Sequence, residues 1–285
     1  MPLTQAETAR TVTTRDWKLR YYEAGDGHPV VLLHGSGPGA TGWSNFSANI
    51  EALAEHFHVY AVDMPGWGDS DAATVDRLDH VDAAVQFLDA LGIGKAAFVG
   101  NSMGGQTSLR LATEHPDRIT HLVTMGPPVT RAPALFAPGG GPSEGLKVLI
   151  ETYREPSPEN MRRLVEIMCF DKAAFATPDL CRARSDAALA RPEHLRNYVE
   201  GLPKGTPLPT WVKPELLPAI KAPTLLIHGR DDRVVPFENS LYLLANIPDS
   251  RLLLLNRCGH WAMIEHAAEF NRTVTTFLHN THPQG

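Results

Sequence analysis

Ser102 lies in a sequence pattern that exposes a serine hydroxyl for nucleophilic attack. It is the third residue of segment 100–105, GNSMGG, which matches the G-x-S-x-G pattern of a nucleophile elbow. An apolar, strand-like run precedes this segment at residues 95–99, and a helix-like stretch follows it at residues 106–115. A sharp turn between a strand and a helix lifts the hydroxyl clear of a sheet, where a base can reach it. We therefore predict that Ser102 is a catalytic nucleophile.

An acid and a histidine follow Ser102 in the chain order that such an elbow requires. Asp232 lies on a glycine-preceded loop after one buried, strand-like run, and His260 lies on a similar loop after the next. Asp231 is the alternative acid, but we expect it to face solvent or to tie the loop. Because the carboxyl ends of parallel strands meet at one edge of a sheet, these loops should lie together. The sequence predicts a triad of Ser102, His260 and Asp232.

A serine that attacks a carbonyl carbon creates an oxyanion, which needs hydrogen-bond donors. The backbone N–H of Met103, at the start of the helix after the elbow, is one candidate. The second should come from the glycine-rich segment 34–40, HGSGPGA, which follows an earlier strand. Gly35 and Gly37 let this backbone approach a substrate closely, and we assign the second donor to the Ser36 N–H. The segment lacks the glycine patterns of dinucleotide and P-loop sites, so we do not expect it to bind phosphate.

Composition and charge exclude several classes of function. The chain has 285 residues, of which 43% are hydrophobic, and it carries a net charge of −6 with acids and bases interspersed. The charge pattern has no basic stripe, so we expect no nucleic-acid partner. We see neither an apolar signal segment near the start nor a run of membrane-spanning length, and so predict a cytoplasmic protein without a membrane partner. The three cysteines lack metal-ligand spacing, and we predict neither a metal nor a cofactor.

Apolar runs alternate with amphipathic stretches along most of the chain. This pattern predicts an α/β fold with a mostly parallel central sheet, covered by helices on both faces. The predicted strands include residues 19–23, 29–33, 58–63, 95–99 and 119–125, and the predicted helices include 45–56 and 81–91.

After residue 125 the alternation breaks. Prolines and glycines between residues 127 and 142 mark an exit from the sheet, and prolines between 203 and 214 mark a return. Four helix-like stretches lie between these two boundaries. We predict a helical cap, residues 130–215, inserted after the sixth strand, and a core formed by residues 1–129 and 216–285.

The sequence resembles the meta-cleavage product hydrolases, which are carbon–carbon bond hydrolases of bacterial aromatic degradation in the α/β-hydrolase superfamily. The resemblance covers nearly the whole chain and implies the α/β-hydrolase fold. It depends on the segments 34–46 (HGSGPGATGWSNF), 100–105 (GNSMGG), 229–236 (GRDDRVVP) and 258–261 (CGHW). The chain departs from the commonest family pattern at residues 127–129, PPV, where glycines are frequent, and at Ser36, which replaces a frequent glycine.

The resemblance implies that the substrate is a small ring-fission product of the 2-hydroxy-6-oxohexa-2,4-dienoate type. In the family pattern Arg184 binds the dienoate carboxylate, Asn45 and Asn101 donate to the 2-oxy end, and Trp261 lines the site. From the residues alone, Arg184 could belong to a solvated helix face. Asn101 could be a turn residue, and Asn45 could cap a helix.

The implied reaction is hydrolysis to 2-hydroxypenta-2,4-dienoate and a carboxylic acid, by Ser-His-Asp catalysis after ketonisation. The resemblance also implies self-association as a dimer or a larger homo-oligomer. A carboxylesterase or lactonase with the same triad, and a non-catalytic ligand receptor on a hydrolase scaffold, are the alternatives. The substituent on C6 of the substrate stays open, because phenyl, alkyl and fused-ring groups differ only in the pocket shape that they need.

Overall fold

The central element of the fold is one eight-stranded sheet. The computed structural model describes residues 2–74, 76–129, 142–201 and 212–280. The strands are β1 (Ala9–Thr13), β2 (Lys18–Ala24), β3 (Pro29–Leu33), β4 (His58–Val62), β5 (Ala96–Asn101), β6 (Ile119–Met125), β7 (Thr224–Gly229) and β8 (Ser250–Leu255). Their order in the sheet is β1-β2-β4-β3-β5-β6-β7-β8. The pairs β1–β2 and β2–β4 are antiparallel and the others are parallel, which confirms the predicted mostly parallel sheet.

Helices cover the middle of this sheet on both sides. Every residue of β5 and β7 is buried, and since successive side chains of a strand point to opposite faces, both faces are covered. The helices are α1 (Gln5–Thr8), α2 (Gly42–Ala54), α3 (His80–Ala90), α4 (Met103–Glu114), α5 (Glu144–Arg154), α6 (Pro158–Met168), α7 (Lys172–Phe175), α8 (Pro178–Leu189), α9 (Pro192–Gly201), α10 (Glu238–Asn246), α11 (Ala262–Glu265) and α12 (Ala267–Asn280). A short 3₁₀ helix, Pro214–Ala219, precedes β7.

Helix α2 begins earlier than the sequence pattern suggests. It starts at Gly42, because the Thr41 side chain caps it by accepting a hydrogen bond from the Ser44 N–H at 2.8 Å. The predicted helix started at residue 45, and one interpretation made Asn45 its cap. Asn45 instead lies in the first turn with its side chain buried, so it is available to a site rather than to a cap.

Helices α5 to α9 lie between β6 and β7 in chain order. We refer to residues 144–201 as the helical segment. Serine or threonine caps begin α5, α6 and α8, and proline occupies the first helical position of α6 and α8, as capping chemistry favours. The helices pack on one another, α5 against α6 and α9, and α6 against α8. The ends of the predicted cap, residues 130–141 and 202–211, are outside the described residues.

Candidate active site

Ser102 occupies the turn between β5 and α4. Its backbone has φ 52° and ψ −112°, a conformation that few residues other than glycine adopt. The Ser102 N–H donates to the Met125 carbonyl at 2.7 Å, which ties the turn to the end of β6. This left-handed geometry is the sharp turn that the elbow pattern predicts, and it separates the serine from the line of the strand.

The small residues around Ser102 are required by space. A Cβ on Gly100 would collide with the backbone of Gly104, and a Cβ on Gly104 would collide with the Leu33 carbonyl. The Gly104 N–H also donates to the His34 carbonyl at 3.1 Å. The start of α4 therefore packs directly on the end of β3, and the elbow and the glycine-rich loop meet there.

Asp232 and His260 form a tight pair. The distance from Asp232 Oδ2 to His260 Nδ1 is 2.7 Å, and both side chains are almost fully buried. Asp232 Oδ1 accepts from the N–H groups of Val234 and Val235 at 2.8 and 2.9 Å. These bonds fix the carboxylate, which in turn holds the proton of the ring on Nδ1 and leaves Nε2 available to Ser102.

His228, at the end of β7, is a second partner of Asp232. Its Nε2 lies 3.2 Å from Asp232 Oδ2 and 2.9 Å from the Val235 carbonyl, and its Nδ1 lies 2.7 Å from Ser240 Oγ. Burial raises the pKa of Asp232, but the His260 and His228 rings outweigh it, so the net pKa lies well below the ordinary range. Asp232 is therefore a carboxylate throughout the neutral range.

Asp231 makes its contacts within its own loop and with Cys258, not with His260. Its N–H donates to the Cys258 carbonyl at 2.9 Å, and its carboxylate, 29% exposed, lies 3.6 Å from Arg230. Of the two neighbouring acids, the structure places Asp232 against His260.

The His260 loop is joined to the helical segment. The His260 N–H donates to the Met168 carbonyl at 2.7 Å. The Glu265 carboxylate accepts from the Gly259 N–H at 2.7 Å and from the Phe170 N–H at 2.7 Å. One carboxylate thus bridges the residue before His260 and the chain just after α6.

Arg184 is a buried cation with no anionic partner in the part of the chain that the structure describes. It lies on α8, and only 6% of it is exposed. Its guanidinium stacks on the Trp261 ring at 4.4 Å, Nη2 donates to the Ser44 carbonyl at 3.3 Å, and Nε has no hydrogen-bond partner among the described residues. Burial lowers its pKa to about 10, so the group is still charged at neutral pH. The titratable groups that act on it among the described residues are the Cys169 and Cys181 thiols, and no carboxylate is among them.

The two asparagines are arranged differently from the expected pair of donors. Asn101 Nδ2 already donates to the carbonyls of Met125 and His260, at 3.3 and 3.2 Å, whereas Oδ1 is buried without a partner among the described residues. Asn45 Oδ1 lies 3.4 Å from the Gly35 N–H, and Nδ2 makes long contacts at 3.3 Å or more. Asn101 therefore presents an acceptor, not a donor.

One cleft collects most of the predicted site residues. Apolar side chains of Ala40, Leu149, Met168, Val234 complete its lining beside Gly35, Ser36, Gly37, Asn45, Asn101, Ser102, Arg184, His260 and Trp261. Met103 begins α4, where the first N–H groups of a helix have no partner within it. Asp232 takes part through His260. The cleft thus brings together a serine hydroxyl, a histidine ring paired with a carboxylate, a glycine-rich backbone and a buried guanidinium group.

The described ranges have neither a metal-binding cluster nor a helix suited to a membrane. Residues 2–74, 76–129, 142–201 and 212–280 contain no group of three or more His, Cys, Asp or Glu side chains that could hold a metal ion. In the same ranges, no helix is both long enough and apolar enough to cross a membrane.

Comparison with known proteins places the chain. The model of the alpha/beta hydrolase family matches residues 30–273. A protein of Cupriavidus pinatubonensis (strain JMP 134 / LMG 1197), named 2-hydroxy-6-oxononadienedioate/2-hydroxy-6-oxononatrienedioate hydrolase, is 44% identical over 98% of both chains. The chain belongs to the meta-cleavage product hydrolases of the α/β-hydrolase family.

Two further relatives agree with this membership. A Burkholderia cepacia protein named 2-hydroxy-6-oxo-6-phenylhexa-2,4-dienoate hydrolase is 41% identical, over 98% of this chain and 99% of its own length. The solved structure of a meta-cleavage product hydrolase from Pseudomonas fluorescens IP01 superposes with a TM-score of 0.87 at 32% identity, covering 98% of this chain and 100% of that one. The predicted family and α/β-hydrolase fold are confirmed.

Sequence reasoning missed two residues that support the site of this meta-cleavage product hydrolase. His228 gave a usable signal, because it is the last residue but one of a buried strand and lies four residues before Asp232. Glu265 gave none for its bridging role, because two of its three partners, Phe170 and Asp171, lie some ninety residues away in the chain.

Proposed function

We propose that this enzyme hydrolyses the carbon–carbon bond of 2-hydroxy-6-oxohexa-2,4-dienoate type ring-fission products. The observation that carries the proposal is the buried, unpaired Arg184 in the same cleft as Ser102 and His260. A buried cation without a counter-ion is costly, and an anionic substrate relieves that cost. A plain esterase has no need of such a group beside its nucleophile.

Arg184 and Trp261 together form the proposed carboxylate site. The free Nε and the guanidinium edge of Arg184 can bind a carboxylate through two parallel N–H bonds, while the Trp261 ring covers its face. The dienoate carboxylate binds here. Asn101 Oδ1 then accepts a hydrogen bond from the substrate 2-hydroxyl group, which satisfies a buried oxygen that has no partner among the described residues.

The first chemical step is ketonisation. His260, held by Asp232 through Nδ1, uses Nε2 to move a proton from the 2-hydroxyl group to C5 of the dienoate. The product is a 2,6-dioxo compound in which C5 is a methylene group. Cleavage of the C5–C6 bond then leaves an electron pair that is delocalised onto the 2-oxygen.

In the second step Ser102 attacks the C6 ketone and gives its proton to His260. The Ser36 and Met103 N–H groups bind the oxyanion that forms on the C6 oxygen. Collapse of this intermediate breaks the C5–C6 bond, and the leaving dienolate takes the proton from His260 to become 2-hydroxypenta-2,4-dienoate, which returns His260 to its neutral form. Water, deprotonated by His260, hydrolyses the acyl-serine and releases the carboxylic acid.

The helical segment is proposed to act as the cap over this cleft, with core and cap dividing at residues 130 and 215. It contributes Leu149, Met168 and Arg184 to the lining, so the cleft is closed on that side by its side chains.

We also propose a cytoplasmic homo-oligomer, a dimer or larger. Light scattering of the purified protein tests that assembly directly, and a monomer at micromolar concentration contradicts it.

The decisive experiment compares dienoates with plain esters on the purified enzyme. A panel of synthetic dienoates that differ only at C6 is followed by loss of their yellow absorbance, beside p-nitrophenyl esters. The proposal expects kcat/KM for at least one dienoate to exceed that of the esters by on the order of a hundredfold or more. Ester turnover without dienoate turnover supports the esterase or lactonase alternative. Dienoate binding without any turnover supports the receptor alternative.

A further inference from the structure

The loop that supplies the Ser36 N–H has three consecutive carbonyl groups, each held by a different side chain. The Gly35 oxygen lies 2.8 Å from His34 Nδ1. The Ser36 oxygen accepts from the Tyr153 hydroxyl at 2.6 Å, and the Gly37 oxygen accepts from Trp67 Nε1 at 3.1 Å. We call residues 35–37 the oxyanion loop.

A hydrogen bond that holds a peptide carbonyl also orients the N–H of the same peptide. In a trans peptide the C=O and the N–H point in opposite directions. The bond from His34 to the Gly35 carbonyl therefore directs the Ser36 N–H. The bond from Tyr153 to the Ser36 carbonyl directs the Gly37 N–H. A carbonyl turned toward the developing oxyanion would repel it, so the direction of each peptide decides whether the loop binds or opposes the anion.

The Ser36–Gly37 peptide needs an anchor of its own. Gly37 has no Cβ, so the backbone on that side can rotate at little steric cost. The group that holds this peptide, Tyr153, belongs to α5 of the helical segment and not to the sheet or its loops. The orientation of a catalytic loop in the core thus depends on a side chain from the helical segment.

Tyr153 is itself firmly placed. It is almost fully buried, and its ring stacks on Tyr198 of α9 with centroids 3.8 Å apart and planes at 10°. Its hydroxyl oxygen accepts from Trp67 Nε1 at 3.0 Å while it donates to Ser36. Since the acceptor side of this hydroxyl is occupied by Trp67, its proton is directed to the Ser36 carbonyl.

We propose that Tyr153 is a positioning residue for the oxyanion hole. Through Tyr153, the position of the helical segment affects the rate at which Ser102 reacts. The proposal depends on the proposed oxyanion hole, in which the Ser36 N–H is directed by the bond between His34 and the Gly35 carbonyl, and the adjoining Ser36–Gly37 peptide is the one that Tyr153 holds. Without the Tyr153 hydroxyl, the Ser36 carbonyl loses its partner and the Ser36–Gly37 peptide turns toward the cleft. Substrate binding at Arg184 does not use this peptide, so the effect falls on the chemical steps.

The test is Tyr153→Phe, which removes one hydroxyl and keeps the stacked ring. The matched control is Tyr60→Phe, which removes the hydroxyl of another buried tyrosine that lies 3.0 Å from His58 Nδ1 on β4. We expect kcat of Tyr153→Phe to fall on the order of tenfold to a hundredfold with KM within about twofold. The control should keep both constants. Thermal unfolding midpoints measured on both variants separate loss of stability from loss of rate.

Each variant is assayed with a dienoate and with a p-nitrophenyl ester. Both reactions form an oxyanion at Ser102, so Tyr153→Phe should slow both. If the wild-type enzyme turns over esters only, the proposed carbon–carbon activity is wrong, while the ester data still decide the role of Tyr153. Trp67→Phe, which removes the donor to Tyr153 and Gly37, provides a second variant if Tyr153→Phe fails to fold.

Three results overturn the proposal. One is an unchanged kcat for Tyr153→Phe. Another is a rise in KM alone, which indicates a binding role. The last is an equal loss of kcat in Tyr60→Phe, which indicates a general effect of removing a buried hydroxyl.

Discussion

The two sides of the cleft differ in how completely their polar groups are satisfied. On the side of the sheet, Asp232 accepts two backbone N–H bonds and contacts two histidine rings, and His260 is held through both its ring and its backbone. On the side of the helical segment, the buried Arg184 keeps an Nε with no partner among the described residues. Asn101, which ends β5 and lines the same cleft, is the exception on the side of the sheet, because its Oδ1 also has no partner there.

This difference indicates that the two sides of the cleft have different roles in the proposed reaction. On the first side, the Asp232–His260 pair proposed to assist bond breaking has its partners before substrate binds, as preorganised catalysis requires. The groups proposed to select the substrate lack partners among the described residues, and an anion with a neighbouring hydroxyl group would supply them. Changes on the first side should therefore abolish every reaction of Ser102, whereas changes on the second should affect only substrates that carry the anion.

The largest effect is expected for Ser102→Ala. Removal of the nucleophile should lower kcat for dienoates and esters alike by on the order of 10⁴-fold or more, because members of a triad act as a unit. Dienoate binding, measured by the shift of its absorbance spectrum, should persist. Ser108→Ala is the matched control, since the Ser108 hydroxyl lies on α4 and donates to the Gly104 carbonyl. Turnover of Ser102→Ala within tenfold of wild type removes Ser102 from the mechanism.

The second effect separates the two neighbouring acids. Asp232→Asn should lower kcat on the order of 10³- to 10⁴-fold, because an amide cannot hold His260 in the tautomer that leaves Nε2 free. Asp231→Asn should stay within about threefold, since Asp231 lies beside Arg230 instead. Steady-state kinetics of both variants on one dienoate provide the measurement. Equal losses contradict the assignment of the acid.

The third effect tests the incomplete side. Arg184→Ala should lower kcat/KM for dienoates by about 2–4 kcal/mol, or roughly thirtyfold to a thousandfold, and leave ester hydrolysis nearly unchanged. Arg184→Lys should recover only part, because an ammonium group cannot form the two parallel bonds. Arg182→Ala, an exposed neighbour on α8, is the matched control. A uniform loss for both substrate types indicates a disturbed helical segment, and no loss for either supports the esterase alternative.

The smallest effect concerns stability and the buried side chain of His80, which does not line the cleft but packs edge-on against Trp67. Burial lowers the pKa of His80 to about 4, while its Nε2 lies 3.1 Å from the Pro65 carbonyl. Below about pH 6.5 the His80 side chain is protonated in the unfolded chain, whereas in the native state it stays neutral until the pH nears 4. The free energy of unfolding therefore falls as the pH falls from 6.5 toward 4. His80 should contribute about 2 kcal/mol of this loss between pH 7 and pH 5.

Urea unfolding of the wild type and of His80→Gln at both pH values measures that contribution. The variant should lose less stability on acidification than the wild type does. An identical difference between pH 7 and pH 5 in the two proteins shows that His80 does not titrate in this way.

The sequence by itself determined the local features of this protein, namely its tight turns and its buried strands. Small residues around Ser102 prescribe a tight turn because only glycine fits where α4 packs on β3, and such steric demands are visible at fixed spacing. The continuous apolar runs of β5 and β7 determine a sheet buried on both faces. The order of serine, acid and histidine could be predicted because each follows a strand whose end lies at the same edge.

Only the tertiary structure decided which polar groups have partners. Arg184 is buried and lacks an anion because α8 packs over Trp261 and Ser44, which are far from it in the chain, although its own sequence is compatible with a solvated helix face. In the same way the anchor of Ser36 is Tyr153, more than a hundred residues away. Local patterns specify turns, caps and strands, because those depend on neighbours in the chain. Burial and hydrogen-bond completion depend on neighbours in space, and the fold alone brings those together.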